Sequence, residues 1–281
     1  MEDFSHKHFV EVGAAKICYR CTGQGPALVF LHGYPLSGRT WRKVIASLSH
    51  RFTCYAFDMI GLGDSRSPRT VDHSSQGQAE ALQHALATLG LSSYSLFANN
   101  SGGWIARELA LLEPERVERL ILTNTEIPGH RPPWISPYQI LARLPGAGFL
   151  FRMMISSRSW RESTLGFGGC FDDPSLIEGE FAMEFLLPLL LSQDRMRSAL
   201  RFLIHMKFGR VDEFRKLHQR LNMPVVFVWG AADPTFPENL AREMALQFPN
   251  VLGFKSIPRG KLFMQEEMPE VLVSSVNEFL S

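Results

Sequence analysis

Short apolar runs that alternate with helical segments are the feature that most limits what this chain can fold into. Fully apolar runs, such as residues 27–31 and 225–228, are typical of strands buried on both faces of a parallel sheet. Such runs lie near 8–12, 15–21, 27–31, 52–57, 94–98, 119–123, 224–229 and 251–257, with helical periodicity at 38–49, 75–90, 103–113, 237–248 and 268–280. Val12-Gly13-Ala14 is a hairpin signal, whereas the later strands need helical crossovers. The order predicts an α/β fold with a mostly parallel, eight-stranded sheet flanked by helices.

The alternation stops between about Ile127 and Leu221, where no convincing strand occurs and Gly and Pro interrupt apolar helical stretches at 140–155 and 176–191. We therefore predict a core made of residues 1–126 and 222–281 and a helical cap made of residues 127–221. The Met, Phe and Leu side chains of this segment either pack as a small core or line an apolar pocket.

Charge and hydropathy exclude several function classes. Lys plus Arg number 29 and Asp plus Glu number 28, and the formal net charge of +1 provides no global attraction to nucleic acid or to an anionic membrane. The longest apolar stretch, residues 181–191, is shorter than the ~20 residues that span a bilayer, and residues 1–6 lack the pattern of a signal peptide. We expect a cytoplasmic monomer or homodimer whose partner is a small molecule.

Cofactor signals are weak. Cys18 and Cys21 have a C-x-x-C spacing, but they lie in a run of strand type, where positions three apart point to opposite faces. No second Cys or His pair lies nearby, and no nucleotide-binding fingerprint occurs in the chain. We therefore expect neither a metal nor an organic cofactor.

Five loops that follow predicted strands carry the polar chemistry, and in a parallel sheet such loops gather at the carboxyl edge. In chain order they are His32-Gly33-Tyr34-Pro35, 58–65 (DMIGLGDS), Ala98-Asn99-Asn100-Ser101-Gly102-Gly103, 229–234 (WGAADP) and 257–261 (IPRGK). Together they resemble the α/β-hydrolase superfamily, in particular its branch of epoxide hydrolases and haloalkane dehalogenases. The resemblance covers about residues 9–280 and implies an α/β-hydrolase fold with a cap over the site.

The resemblance assigns a strained strand-to-helix turn, the nucleophile elbow, to the third of these loops. The family places its nucleophile two residues before the paired glycines, and here that residue is Asn100, a poor nucleophile. Ser101 is an alternative, but choosing it shifts the register by one and places Asn99 where the turn favours a small residue. Asn100 could also be an introduced replacement of Asp. Such a replacement would not explain the second departure from the family pattern, at the general base.

The second departure concerns the general base. Relatives carry a His after the last strand, and the matching position here is Lys261; the last histidine in the chain is His218. The acid of the triad corresponds to Asp233, with Glu126 after the sixth strand as a second candidate. We expect the Lys261 ammonium to lie close to Asp233 and within reach of Asn100, although a surface role for Lys261 stays open.

The remaining positions follow from the same resemblance. It implies an oxyanion hole formed by the backbone N–H groups of Tyr34 and Ser101, and it gives His32 a structural role in its turn. Dehalogenases carry Trp and Asn where this chain has Ser101 and Tyr34. Epoxide hydrolases use two cap tyrosines, whereas only Tyr138 lies in this cap.

Three functions are compatible with these residues. The first is an enzyme with a remodelled triad, Asn100, Asp233 and Lys261, that performs a non-hydrolytic elimination, rearrangement, cyclisation or carbon–carbon step on a small apolar substrate. The second is a hydrolase of esters, epoxides or halides that uses Ser101 or a water activated by Lys261 and Asp233. The third is a non-catalytic protein that binds a small molecule in the same pocket.

Overall fold

Eight strands form one sheet within residues 4–280, which are the residues that the computed structural model describes. The N-terminal residues Met1 to Asp3, on which part of the expectation about a signal peptide depends, lie outside them. The strands are β1 (His8–Val12), β2 (Ala15–Gly23), β3 (Ala27–Leu31), β4 (Thr53–Phe57), β5 (Tyr94–Asn99), β6 (Val117–Thr123), β7 (Val225–Gly230) and β8 (Val251–Ile257). Their order is β1-β2-β4-β3-β5-β6-β7-β8, and only the pairs that involve β1 or β2 are antiparallel. The predicted α/β architecture is confirmed.

Helices cover both faces of this sheet. They are α1 (Arg42–Leu48), α2 (Ser75–Thr88), α3 (Ser101–Leu112), α4 (Ile135–Ala142), α5 (Ala147–Ser156), α6 (Arg158–Glu162), α7 (Leu187–Leu191), α8 (Gln193–His205), α9 (Phe208–Leu217), α10 (Glu238–Ala245), α11 (Met264–Glu267) and α12 (Pro269–Val276). Alternate residues of β3 pack on opposite faces, with Val29 in one buried cluster and Phe30 in the other. This burial on both sides explains why β3 reads as a continuous apolar run.

The segment between β6 and β7 is helical, but its two long apolar stretches are broken into shorter pieces. The stretch 140–155 is divided between α4, which ends at Ala142, and α5, which begins after Gly146 with its φ of 79°. The stretch 176–191 contains a π-helical turn at Ala182–Leu186 followed by α7, which has a proline in its first turn. The breaks agree with the interruptions noted in the sequence, because glycine and proline disturb the hydrogen-bond ladder of a helix. We refer to residues 127–221 as the cap segment.

No helix among the described residues is long and apolar enough to cross a membrane. The C-x-x-C pair lies on β2 as two free cysteines. The Cys18 sulfur lies within 4.8 Å of carboxylate oxygens of Asp58 and Asp64, a grouping of metal-ligand atoms. The guanidinium group of Arg20 already supplies a cation there, at 3.4 Å from Asp58 and 3.1 Å from Asp64.

Candidate active site

Asn100 occupies the apex of a sharp turn between β5 and α3. Its backbone has φ 53° and ψ −137°, an uncommon conformation for any residue other than glycine. Small neighbours make the turn possible: a Cβ at Gly33 would lie 2.2 Å from Cβ of Asn100, and a Cβ at Gly102 would lie 2.3 Å from the carbonyl oxygen of Leu31. The structure thus places the elbow at the register that the motif predicts, with Asn100 at its tip.

The carboxamide of Asn100 is held by its neighbours. Its Oδ1 accepts a hydrogen bond from the backbone N–H of Ser101 (2.6 Å), and its Nδ2 donates to the carbonyl oxygen of Tyr34 (3.4 Å). The N–H of Tyr34 in turn donates to Oγ of Ser101 (3.0 Å). Both backbone donors predicted for the oxyanion hole are therefore engaged within the protein, so a substrate oxygen reaches them only by displacing the side chains of Asn100 and Ser101.

A largely apolar cavity of about 140 Å³ lies above the elbow. Asn100 and Glu126 contribute carboxamide and carboxyl groups to its wall, and the ring of Tyr34 lies beside them. The cap segment supplies most of the apolar lining, including Ile135, Tyr138, Phe151, Phe167, Met196 and Leu203. Of the two roles expected for the apolar side chains of the cap segment, these residues therefore have the second: they line a pocket. A cavity with this lining favours a small apolar molecule that carries few polar atoms.

Glu126 is buried, with 1% of its surface exposed, and it faces this cavity. Its Oε2 lies 3.0 Å from Oγ1 of Thr125, whereas its Oε1 is buried without a hydrogen-bond partner. Burial raises the pKa of the carboxyl group, although the nearby Arg107 guanidinium opposes this effect. A buried acid with an unpartnered oxygen beside an apolar cavity is a candidate for proton transfer.

The hydroxyl of Thr125 connects Glu126 to the elbow. Its Oγ1 lies 2.8 Å from the backbone carbonyl oxygen of Asn100, which can only accept a hydrogen bond. A hydroxyl has one hydrogen. When that hydrogen is donated to Asn100, only a protonated Glu126 can donate to Thr125 in return. When Thr125 donates to Glu126 instead, that hydrogen bond lowers the pKa of the carboxyl group and partly offsets the effect of burial.

Asp233 lies behind the elbow and does not line the cavity. Its Oδ1 accepts from the N–H of Thr235 (2.8 Å), and its Oδ2 accepts from Nδ2 of Asn124 (2.8 Å). The carbonyl oxygen of Asn124 accepts from the N–H of Asn100, so one residue joins Asp233 to the apex. Burial raises the pKa of Asp233 from 3.8 to about 7, and the hydrogen bonds only partly offset this.

The ammonium group of Lys261 bonds to the cap segment. Its Nζ donates to the carbonyl oxygen of Phe171 in the cap segment (2.8 Å). Among residues 4–280 it forms no ion pair with Asp233, and it does not line the cavity. Burial raises the pKa of the Cys170 thiol; the carboxylate of Asp233 raises it further and the ammonium group of Lys261 lowers it, but these two groups form no direct pair. An ammonium group is strongly hydrated, and a carbonyl in a partly exposed position holds it at a lower desolvation cost than a buried cavity would.

Two histidines that the sequence analysis missed lie beside Ser101. His73, His205 and Ser101 line a void of about 10 Å³, roughly the space of one water molecule. Trp104 also lines this void, and Nδ1 of each histidine and Nε1 of Trp104 are buried without hydrogen-bond partners. Burial lowers the pKa of His73 to about 4, so its imidazole is neutral. The family resemblance points to a histidine in the loop after the last strand, whereas these two lie before α2 and at the end of α8.

The other predicted residues have defined contacts. His32 is buried between two loops, where its Nε2 accepts from the N–H of Met59 (3.0 Å) and its Nδ1 donates to the carbonyl oxygen of Gly33 (2.9 Å). These bonds give it the structural role that the resemblance implied. The hydroxyl of Tyr138 donates to the carbonyl oxygen of Leu165, while its ring lines the cavity.

Comparisons with known proteins agree with this architecture. A family model described as alpha/beta hydrolase fold matches residues 26–150. The cis-3-alkyl-4-alkyloxetan-2-one decarboxylase of Xanthomonas campestris pv. campestris is 27% identical, over 91% of this chain and 88% of that protein. Haloalkane dehalogenase 2 of Mycobacterium tuberculosis is 24% identical, over 94% and 91%.

A solved structure of the epoxide hydrolase CorEH has a TM-score of 0.81 with 23% identity and covers 98% of both chains, a likeness that establishes the fold. The similarity to some relatives is shorter. An uncharacterized protein of Mycobacterium tuberculosis is 34% identical over 116 residues, which span only 34% of its own length.

Proposed function

Because the chain belongs to the α/β-hydrolase superfamily, we propose that it is an enzyme that moves a proton on a small, apolar, carbonyl-bearing substrate without hydrolysing it. Asn100 holds the substrate and Glu126 transfers the proton. The observation that carries this proposal is the unpartnered Oε1 of Glu126, buried at the wall of the cavity that Asn100 also lines.

The carboxamide of Asn100 provides a hydrogen-bond donor rather than a nucleophile. Its Nδ2 is held only by a long contact of 3.4 Å to Tyr34, so a substrate carbonyl oxygen competes well for this donor. A carboxamide does not form the covalent ester that an aspartate or serine forms at this apex. The substrate therefore stays unattached during the reaction.

Glu126 acts as the acid and base. In its ionised form it takes a proton from the carbon next to the substrate carbonyl, and the electron pair moves onto the carbonyl oxygen held by Asn100. The carboxyl group then returns the proton to another carbon, which gives a rearrangement, or to a departing group, which gives an elimination. The raised pKa makes the carboxylate a stronger base than an exposed glutamate.

One relative supports a substrate of this class. The Xanthomonas protein is named as a decarboxylase of an alkyl-substituted oxetanone, a compound with one carbonyl group and apolar chains. An apolar cavity with two adjacent polar groups suits a molecule of this kind. A protein similar to this chain over most of its length is thus named for a reaction other than hydrolysis.

A second candidate function is hydrolysis through Ser101. The observation that favours it is the void that Ser101 shares with His73 and His205, because a bound water there would connect a hydroxyl nucleophile to an imidazole. The low pKa of His73, about 4, makes it a weak base, and the Oγ of Ser101 already accepts from Tyr34. We therefore rank this function below proton transfer.

The test is proton exchange in heavy water with a panel of small apolar ketones, lactones and esters, monitored by mass spectrometry. With wild-type protein, a compound that binds should incorporate deuterium at the carbon next to its carbonyl group. Glu126→Gln should reduce exchange at least about 100-fold, the usual contribution of a general base, while thermal-shift binding persists. Exchange that is unchanged in Glu126→Gln would refute the role of this residue.

The remaining outcomes separate the three functions. Cleavage of an ester that is lost in Ser101→Ala and retained in Glu126→Gln would establish the hydrolase. Binding of panel compounds without exchange or cleavage in the wild-type protein would indicate a receptor. Glu118→Gln, which changes an exposed glutamate on β6, serves as the matched control and should behave as wild type.

A further inference from the structure

An apolar groove of about 830 Å³ lies on the surface of the cap segment, apart from the cavity above the elbow. Leu144 and Phe149 contribute to its lining although they are 52% and 70% exposed. Met153, one helical turn after Phe149 on α5, is 55% exposed. Large apolar side chains grouped at a surface in this way mark a binding surface more often than isolated exposed residues do.

Four arginines line the same groove: Arg69 from the loop after β4, Arg152 from α5, and Arg197 and Arg201 from α8. Arg197 pairs with the exposed Asp194 at 3.3 Å. Within residues 4–280, the guanidinium groups of the other three have no hydrogen-bond or ion-pair partner, and Nη1 of Arg201 is buried. Burial, and then repulsion from Arg69, lower the pKa of Arg201. Like charges gathered without a counter-charge are stabilised when an anion binds between them.

We propose that this groove binds anionic phospholipid at a bilayer surface, with the lipid phosphate against Arg69 and Arg201 and acyl chain against Phe149 and Leu144. Guanidinium groups are well suited to phosphate because they donate parallel hydrogen bonds to it. Exposed aromatic and aliphatic side chains beside basic residues are the composition of interfacial membrane-binding helices. The formal net charge of +1 does not report this surface, because it sums charges over the whole molecule.

A second copy of the chain is a poorer occupant. A two-fold contact through this face would bring the same unpaired arginines of both copies together, and like charges across an interface oppose association. An anionic bilayer provides both complementary charge and an apolar phase. Met196 lines both this groove and the cavity above Asn100, so a lipid-bound face would adjoin a site suited to apolar molecules. The lipid proposal does not depend on the reaction proposed above.

The experiment is co-sedimentation of the full chain with sucrose-loaded vesicles of phosphatidylcholine, alone or with one quarter phosphatidylglycerol. The protein should sediment with the anionic vesicles and much less with the neutral ones. The double variant Arg69→Gln, Arg201→Gln should weaken the partition coefficient about 25-fold, since each basic residue near an anionic surface contributes about five-fold. Phe149→Ser should also weaken binding, because it removes apolar area from the interface.

The control is Arg158→Gln, which removes one positive charge, by the same kind of substitution, from an exposed arginine of the cap segment that is paired with Glu162. It should sediment as wild type, and circular-dichroism melts should verify that every variant is folded. Equal binding to both kinds of vesicle, no binding to either, or an equal loss in Arg158→Gln would overturn the proposal. Titration of inorganic phosphate without vesicle binding would assign the arginines to a free anion instead. A dimer that Phe149→Ser dissociates, again without vesicle binding, would assign the face to self-association.

Discussion

The buried carboxylate of Asp233 makes the stability of this protein depend on pH in a way that one substitution removes. Burial raises its native pKa from 3.8 to about 7, and no cation among the described residues compensates the charge. In the unfolded chain the carboxyl group returns to water and to its ordinary pKa. Between these two values the native state binds more protons than the unfolded state, so stability falls as pH rises from about 4 to about 7.

The size of the effect follows from the same shift. The full penalty above pH 7 is about 4 kcal/mol, and the part of it that develops between pH 5 and pH 8 is about 2.5 kcal/mol. Asp233→Asn carries no charge at any pH and lacks this loss. The difference in free energy of unfolding, variant minus wild type, should therefore increase by about 2.5 kcal/mol from pH 5 to pH 8. Any destabilisation by the amide that is the same at every pH does not affect this increase.

Urea unfolding followed by tryptophan fluorescence at pH 5, 6, 7 and 8 measures this difference, provided that the slope with urea is the same for both proteins. Asp194→Asn is the matched control, because the Asp194 side chain is 92% exposed and the same substitution there should give a difference that is nearly constant with pH. Parallel curves for wild type and Asp233→Asn would refute the reasoning. They would indicate that a cation, such as a repositioned Lys261, neutralises Asp233 in solution.

Four further predictions follow from the site. Lys261→Ala should retain activity and lose about 1 kcal/mol of stability, because the ammonium bonds the carbonyl of Phe171 outside the cavity; loss of all turnover with an unchanged melt would contradict this. The double variant Asn100→Asp, Lys261→His should hydrolyse activated esters or halides at least about 100-fold faster than either single variant, and equal background rates in all four proteins would show that the pocket has diverged. After incubation with haloalkanes in ¹⁸O-labelled water, mass spectrometry of the intact protein and of its peptides should find no ¹⁸O in the peptide that contains Asn100. Turnover-dependent ¹⁸O in that peptide, without deamidation of Asn100, would show that an alkyl-enzyme intermediate forms. Gly33→Ala should destabilise the fold by about 1–3 kcal/mol, because its Cβ would lie 2.2 Å from that of Asn100, and a melt equal to wild type would be inconsistent with the close approach.

Much of the site could be placed from the sequence because its backbone is local. The elbow needs small residues at Gly102 and Gly103 directly after Asn100, and these letters stand next to one another in the chain. The same is true of His32, whose bonds hold its own turn to the adjacent loop. The direction of Lys261 was not predictable in this way, because its hydrogen-bond partner is 90 residues distant in the cap segment.

The apolar periodicity of the chain determined the order of strands and helices, and with it the edge of the sheet where the polar loops meet. This is so because burial of one or both faces of an element is recorded in the spacing of its own residues. The tertiary structure alone decided that Glu126 faces the cavity with an unused oxygen, that His73 lies beside Ser101 and that Arg69 approaches Arg201. Contacts between distant elements, and the loss of water around the groups they enclose, are set by packing in three dimensions and leave no periodic signal in the sequence.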